Sequence, residues 1–459
     1  MTTTIVAIDT PSLGDRSYLI HDGQVAFVVD PQRDIDRMLA AADCAGVRIT
    51  HVFETHIHND YVTGGFALAQ RTGAQYFVNA DDLVSFDRTP ISGGDVVDVS
   101  PEMRVRVVAT PGHTFTHLSY ALEGDEPAVF SGGSLLFGST GRPDLLGPEH
   151  THALAHHQFA SARSLARELP DATVVMPTHG FGSFCSATAT TSGATGSTIG
   201  TERLSNPALT RSEEEYVAEI IAGLDAFPAY YAHMGPANSH GPSGPDLSPP
   251  LQADKAELSR RLHAGEWLVD LRSRSAFALG HVPGTVNFGL DGQFATYLGW
   301  LIPWGTPVTL LGESPEQVAE AQRELVRIGI DSPSAAATGG PDDWTDGPLG
   351  RFERATFADL AQVLHHRRVT VLDVRRVGEW RESHVDGAVH VPLHFLLERL
   401  GDVPSGEVWI HCAAGYRASI AASFLVANGH QQVVAVDDSF GDHAADAGLA
   451  LVSERSGTD

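Results

Sequence analysis

Thr55-His56-Ile57-His58-Asn59-Asp60-Tyr61 follows directly on an apolar stretch, residues 49–54, that reads as a strand. Two histidines at i and i+2 just past a strand both reach a point beyond its end. Asp60, two residues on, reaches a second point nearby. Neutral imidazoles and carboxylates suit Zn²⁺ or Fe²⁺. Two more histidines hold comparable places. His113 lies in a turn, Thr110-Pro111-Gly112-His113, and His179 lies in Pro177-Thr178-His179-Gly180 after an apolar strand at 173–176. For any one of the chain's 23 histidines, a surface or core-satisfied ring is the better reading. For four at strand ends, in this order, it is weak.

The chain has 459 residues, enough for two to four domains, and its hydrophobic fraction of 42% lets each bury a core. Net charge is 30 − 57 = −27. That balance argues against nucleic acid or an anionic membrane as partner and reads as a solvated acidic surface. No apolar run reaches the roughly 18 residues of a membrane span. Met1-Thr2-Thr3-Thr4 has neither a basic start nor an apolar core, so no signal peptide is expected. Three cysteines, Cys44, Cys185 and Cys412, make no disulfide framework and fit a reducing cytoplasm.

Residues 1 to about 180 alternate strands and helices. Residues 17–20 and 25–30 read as paired strands across His21-Asp22-Gly23. Residues 34–45 read as a helix with Ile35, Met38, Leu39 and Ala42 on one face, and Cys44 is expected to pack toward the core. Residues 183–201, rich in Ser, Thr, Gly and Ala, are expected as loop. Residues 212–224 read as a helix whose acidic first turn suits the helix dipole. Residues 235–250, full of Pro, Gly and Ser, read as a linker, and His233, just before it, and His240, within it, read as packing residues rather than ligands.

An internal repeat follows. Val269-Asp270-Leu271-Arg272 precedes Gly280-His281-Val282-Pro283-Gly284, and Leu372-Asp373-Val374-Arg375 precedes Ser383-His384-Val385-Asp386-Gly387. Asp to His is eleven residues in both copies (270→281, 373→384), an offset of 103. So long a period means two sibling domains, each with a parallel sheet and helices on both faces.

On these residues, the first 180 resemble the metallo-β-lactamase fold, and within it the glyoxalase II and persulfide dioxygenase branch. The branch's first motif is His-x-His-x-Asp-His. His56, His58 and Asp60 match it, but Tyr61 stands at the last His. His113 and His179 match later ligands. The bridging Asp of the family falls in Ser131-Gly132-Gly133-Ser134-Leu135, where Gly133 replaces it. A two-metal hydrolase needs that carboxylate, and a persulfide dioxygenase uses it in its iron triad. What survives is His56, His58 and His113 for one metal, with Asp60 or Tyr61 as substitute oxygen ligands and His179 beside them. Gly141-Arg142-Pro143-Asp144 resembles a family stretch whose Arg holds glutathione. A salt bridge from Arg142 to Asp144 is the equal alternative. His117 matches a family His near the iron.

Cys412 stands between a short strand, 408–411, and an apolar helix, 418–427. Backbone N–H groups at such a junction point one way and stabilise thiolate and persulfide. Most free cysteines are small buried hydrophobes, but Cys412-Ala413-Ala414-Gly415-Tyr416-Arg417 resembles the rhodanese loop Cys-x-x-Gly-x-Arg. Asp373, Arg375 and His384 match that family's structural signature. The resemblance implies Cys412 as sulfur carrier, Arg417 as the attractor of an anionic donor, and Gly415 and Tyr416 on the substrate side. In the earlier copy Gly312 falls where the cysteine should be. Cys185, six residues past His179, is either an ordinary loop thiol or a relay near the metal pocket.

The fold class expected is α/β: an αββα metallo-β-lactamase sandwich followed by two rhodanese-like parallel α/β domains. The boundaries expected are 1–200 for the sandwich, 201–253 for a helix and linker, 254–345 for the cysteine-free copy and 352–459 for the copy with Cys412. The resemblance implies a cytoplasmic enzyme of sulfane-sulfur metabolism with one Fe(II), or Zn, that acts on a low-molecular-weight thiol persulfide or thiosulfate. No nucleic acid or membrane partner is expected, and a homodimer is. Three activities compete: a persulfide dioxygenase coupled to sulfur transfer, a sulfurtransferase with a metal-free first domain, and a mononuclear zinc thioester hydrolase.

Overall fold

The computed structural model describes residues 3–187 and 196–454. Residues 188–195, the middle of the loop expected at 183–201, lie outside the described residues. The chain divides into two compact units, Met1–Asp246 with Leu325–Gly329, and Leu247–Glu324 with Ile330–Asp459. Among the described residues no helix is long and apolar enough to cross a membrane.

The first unit stacks two six-stranded sheets. One runs Thr4–Thr10, Asp15–His21, Val25–Val29, Arg48–Phe53, Gln75–Asn79, Thr89–Ile91. Its first three strands are antiparallel and the rest parallel. The other runs Ser197–Thr198, Val174–Pro177, Ala128–Gly132, Leu118–Glu123, Met103–Ala109, Val96–Ser100. Tyr18, Phe27, Phe53, Phe77, Tyr120 and Phe130 fill the space between the sheets. The rings of Phe53 and Phe77 stack at 4.6 Å, and Phe27 meets Phe130 edge-on at 5.8 Å. Asp36–Ala45 and Gly65–Thr72 cover the outer face of the first sheet, and Pro148–Glu168 covers that of the second. This is the αββα sandwich expected.

Three expectations shift here. Residues 199–205 are helical, and Ile199–Ser205, Pro207–Thr210 and Glu213–Ala222 pack Ile199, Ala208, Tyr216, Val217 and Ile220 into the core beneath Pro148–Glu168. Cys44 is exposed, not packed: two residues from buried Ala42, it sits near the opposite side of the helix. Residues 235–240 are not linker but the end of a helix, Tyr231–His240, which contains Pro236. Its anchor is buried Asn238, whose side chain accepts from the Thr63 amide (2.9 Å) and donates to the His58 and Tyr61 carbonyls (2.8 Å each).

The second unit carries two parallel sheets. The first orders Val286–Asn287, Trp267–Asp270, Val308–Gly312, Ala335–Thr338. The second orders Glu353–Ala355, Gln432–Val436, Glu407–His411, Thr370–Asp373, Val389–His390. The repeat is visible atom by atom. Arg272 binds the Asp270 carboxylate (2.7 Å) and the Gly280 carbonyl (2.8 Å); Arg375 binds Asp373 (2.6 Å) and the Ser383 carbonyl (2.7 Å). Both pairs are buried ion pairs that brace the loop after a central strand. Asp270 pairs with Leu311 and Asp373 with His411, so Gly312 occupies the register position of Cys412.

Candidate functional site

In the first unit, strand ends converge on one buried cluster. His56 and His58 follow Arg48–Phe53, His113 follows Met103–Ala109, and His179 follows Val174–Pro177. Ring centroids of His56 lie 4.1 Å from His58, 4.8 Å from His113 and 5.4 Å from His179. Asp60 joins them, 3.2 Å from His179 Nδ1. All five residues are buried.

Asp30 is what aligns two of these histidines. It accepts from the Thr55 amide (2.7 Å), the Thr55 hydroxyl (2.7 Å) and the Thr178 hydroxyl. Thr55 and Thr178 each precede a cluster histidine, so one carboxylate locks both loops. Its φ of 50° is a left-handed conformation that Asp tolerates.

The outward-facing nitrogens of three rings are tied, which frees the inward ones. His113 Nδ1 donates to the Arg142 carbonyl (2.8 Å), and His179 Nδ1 binds Asp15 (2.9 Å). His56 Nδ1 meets the Thr55 hydroxyl at 2.8 Å, and its Nε2 lies 3.5 Å from His179 Nε2. Carboxylate or carbonyl support of the far nitrogen is the usual way a metal-ligating ring is held. Burial, with the neighbouring rings, pushes His56 and His113 down (His113 to about 3), so both are neutral donors. Burial also pushes His179 down, but Asp60 and Asp15 outweigh it and raise it.

His58 differs. Its Nε2 lies 3.2 Å from Asp30, 3.3 Å from Glu54 and 3.0 Å from the Tyr61 hydroxyl. Burial opposes its charge, yet Asp30 and Glu54 prevail and raise it to about 9. Tyr61 stacks on His58 at 4.3 Å. Its hydroxyl is therefore spent on His58 rather than offered as an oxygen ligand.

Do these residues fit a metal? Asp15 Oδ2, Asp60 Oδ1 and His113 Nε2 are buried without a hydrogen-bond partner among the described residues. Three orphaned ligand-type atoms in one cluster are costly unless a cation satisfies them. One divalent metal fits. A two-metal centre does not, because Tyr61 is turned to His58 and Gly133 offers no carboxylate. A Cβ at Gly133 would also press into the His113 ring, 2.7 Å from its Cγ.

Two residues expected to touch substrate are otherwise engaged. Arg142 is buried; it holds Asp144 through two 2.7 Å bonds, donates to the Phe184 and Asp225 carbonyls, and lies over Phe227. Of its two readings the salt bridge is what the geometry contains. His117 accepts from the Gly133 amide (3.0 Å) and meets Thr110 (2.8 Å), so both nitrogens are used. Asp15, Asp30, Glu54 and Asn238 were not legible as site residues. The three acids share one signal, a place beside a strand end, which is too common to single out, and Asn238 lies in a helix with no signal at all.

In the second unit Cys412 is buried between Glu407–His411 and the helix Tyr416–Ala427. Gly415 caps that helix with φ 87°, and Asp437 fills the space a side chain would need. The Tyr416 hydroxyl donates to the Gly289 carbonyl of the cysteine-free copy (2.8 Å), so it joins the two copies rather than facing substrate. Arg417 pairs with both Glu379 oxygens (2.6 and 2.7 Å). Burial pushes the Glu379 carboxyl up, but Arg417 and Arg376 outweigh it and hold it at about 2. Tyr297 and Trp300 of the cysteine-free copy line a small cleft with Arg417, Arg376 and His394.

The metallo-beta-lactamase superfamily profile matches residues 15–179, and the rhodanese-like domain profile matches 254–346 and 356–445. A hydroxyacylglutathione hydrolase of Polaromonas sp. (strain JS666) is 32% identical over 160 residues, 34% of this chain and 57% of the relative. That of Pseudomonas putida (strain GB-1) is 30% identical over 203 residues, 40% of this chain and 77% of the relative. The chain thus spans little more than half of the Polaromonas relative's length. A solved metallo-beta-lactamase from Staphylococcus aureus subsp. aureus COL is 27% identical with a TM-score of 0.65, covering 74% of this chain and 99% of that one. With its αββα sandwich and its doubled parallel α/β unit, the chain belongs to the metallo-beta-lactamase superfamily and carries two rhodanese-like domains behind that fold.

Proposed function

We propose that this chain works on sulfane sulfur, with Cys412 as the carrier and a low-molecular-weight thiol persulfide as the substrate of the histidine cluster. The observation that carries the reading is Cys412 itself. It sits at a strand–helix junction in a complete Cys-x-x-Gly-x-Arg loop, while its sibling copy has Gly312. The Cys412 thiolate attacks the outer sulfur of R–S–S⁻; the S–S bond breaks and R–S⁻ leaves with the electron pair. Cys412–S–S⁻ then yields its outer sulfur to an acceptor in the same way. Thiosulfate enters by the same attack, with sulfite as leaving group.

The histidine cluster acts on the same class of molecule. The net reaction is R–S–SH + O₂ + H₂O → R–SH + SO₃²⁻ + 2H⁺, in which the terminal sulfur gives four electrons to O₂. A bound metal supplies Lewis acidity and, as Fe(II), electron exchange with O₂. The chain's own part is to present neutral His56 and His113 nitrogens and to hold His179 against Asp15. Similarity to hydroxyacylglutathione hydrolases supports a glutathione-type thiol as R. A metal-free first domain is the second reading, favoured by the capture of His58 by Asp30, Glu54 and Tyr61.

Anaerobic purification without a metal-binding tag, followed by metal analysis and two assays, separates them. Thiocyanate formation from thiosulfate and cyanide should vanish in Cys412→Ser. O₂ uptake with glutathione persulfide should persist in that variant. No metal and no O₂ uptake, with thiocyanate formation intact, would leave only the sulfurtransferase. Thioester cleavage independent of Cys412 would replace the reading with a zinc hydrolase.

A further inference from the structure

We infer that Cys185 is a metal ligand: its thiolate, with His113 and His179, holds the divalent cation of the first unit in place of the carboxylate missing at Gly133. This rests on the metal reading above and deepens it by naming the donor set.

The geometry points there from several sides. Ligand atoms of His113, His179 and Cys185 all lie within 4.8 Å of one another. His113 belongs to this trio, and its Nε2 is buried with no hydrogen-bond partner among the described residues. His179 Nδ1 is held by Asp15 (2.9 Å) and Asp60 (3.2 Å), which leaves Nε2, 3.5 Å from His56 Nε2, as its free donor. Cys185 is fully buried, and its sulfur meets the Tyr231 hydroxyl at 3.9 Å and the Asp60 carboxylate. Burial and the Asp60 and Asp15 carboxylates push its thiol up, and a coordinated cation is what would offset them.

Arg142 explains why the thiol stays in place. Its backbone amide donates to the Cys185 carbonyl (2.8 Å), and its guanidinium donates to the Phe184 carbonyl (3.2 Å). The carbonyl of the same residue accepts from His113 Nδ1 (2.8 Å). One residue therefore braces two of the three donors from opposite sides. A bridge between Gly141 and Ser186 and a bond from the Ala187 amide to the Thr140 carbonyl (3.0 Å) fasten the loop just past Cys185. The Arg142 backbone that ties His113 to Cys185 thus gives this residue a positioning role in the donor set.

Chemistry agrees with the exchange. A thiolate and two imidazoles make an N₂S set with a fourth position open for substrate, suited to Zn²⁺ or Fe²⁺. Gly133 has no room for a carboxylate beside His113, and Cys185 brings a donor to that point from another loop.

The test uses the full chain with Cys44→Ser and Cys412→Ser, which leaves Cys185 as its one thiol. Titrated with Co²⁺, this protein should take up one ion per chain and show a near-ultraviolet thiolate-to-cobalt charge-transfer band. Adding Cys185→Ser should remove the band and weaken Co²⁺ binding by more than the roughly 10- to 100-fold loss typical of outer-shell partners. Circular dichroism checks that the variant is folded. X-ray absorption of the zinc-loaded wild type needs no variant and should show a sulfur at about 2.3 Å. Cobalt bound with visible d–d bands but no charge-transfer band, or a zinc shell of only N and O, would overturn the inference and leave the metal reading standing. No cobalt bound at all would overturn both, and sulfur transfer at Cys412 would still be tested separately.

Discussion

At position 133 the chain has Gly where the metallo-β-lactamase resemblance places a metal-binding carboxylate. Gly133 is not a mere deletion of a ligand, because the His113 ring occupies the space its side chain would enter. Placing the family's carboxylate there should therefore harm the site. Gly133→Asp is expected to cost about 1 to 3 kcal/mol through overpacking and to lower metal content; a rise in metal content by elemental analysis would contradict this. Glu379 sets a second residue-scale prediction. Its carboxyl, ordinarily near 4.5, is held at about 2 in the fold. A depressed carboxyl stabilises above its unfolded value and loses that stabilisation as pH falls. The loss should run from about pH 5 to about pH 2 and total about 3 kcal/mol. Glu379→Gln should flatten the dependence of denaturation midpoint on pH in that window and leave Arg417 buried without its counter-charge.

At the scale of elements, the helix Tyr231–His240 shows tertiary contact overriding composition. Gly235 and Pro236 argue for linker, yet buried Asn238 pins the helix to the backbone at His58, Tyr61 and Thr63. Asn238→Ala removes three hydrogen bonds and strands a buried amide, at an expected cost of about 2 to 4 kcal/mol. Metal affinity should fall, while thiocyanate formation at Cys412 should not change; equal loss of both would mean general unfolding instead of local release. The helix Asp36–Ala45 teaches the converse. Its apolar face was readable from spacing, but Cys44 was misplaced because a lone apolar residue off the stripe says little about its side.

Across the second unit, the cysteine-free copy is part of how Cys412 is held. The Asn287 side-chain oxygen accepts from the Ser419 hydroxyl (3.1 Å), and its backbone N–H donates to the Ser423 hydroxyl (3.1 Å). Trp267 and Phe288 pack against Phe424, and Arg274 pairs with Asp437 at 2.8 Å. Phe288 is fully buried, so Phe288→Ala should cost about 3 to 5 kcal/mol. Although the change lies in the copy without a cysteine, it should speed modification of Cys412 by a thiol reagent. Unchanged protection would show that the two copies are stabilised independently.

By itself the sequence determined the αββα sandwich, the doubled parallel units and the convergence of His56, His58, His113 and His179. The doubled units follow from apolar alternation and the repeat, and the sandwich and the cluster from motifs a few residues long and the family resemblance they carry, all of which act at short range. Only the tertiary structure decided the use of each donor. His58 turns to carboxylates from two strand ends, Arg142 is absorbed by Asp144 and two carbonyls, Tyr416 reaches the sibling copy, and Cys185 arrives beside His113 and His179. Each pairing joins residues on different elements, and short-range pattern carries no information about which buried polar atoms will meet. Burial then forces those atoms to find partners.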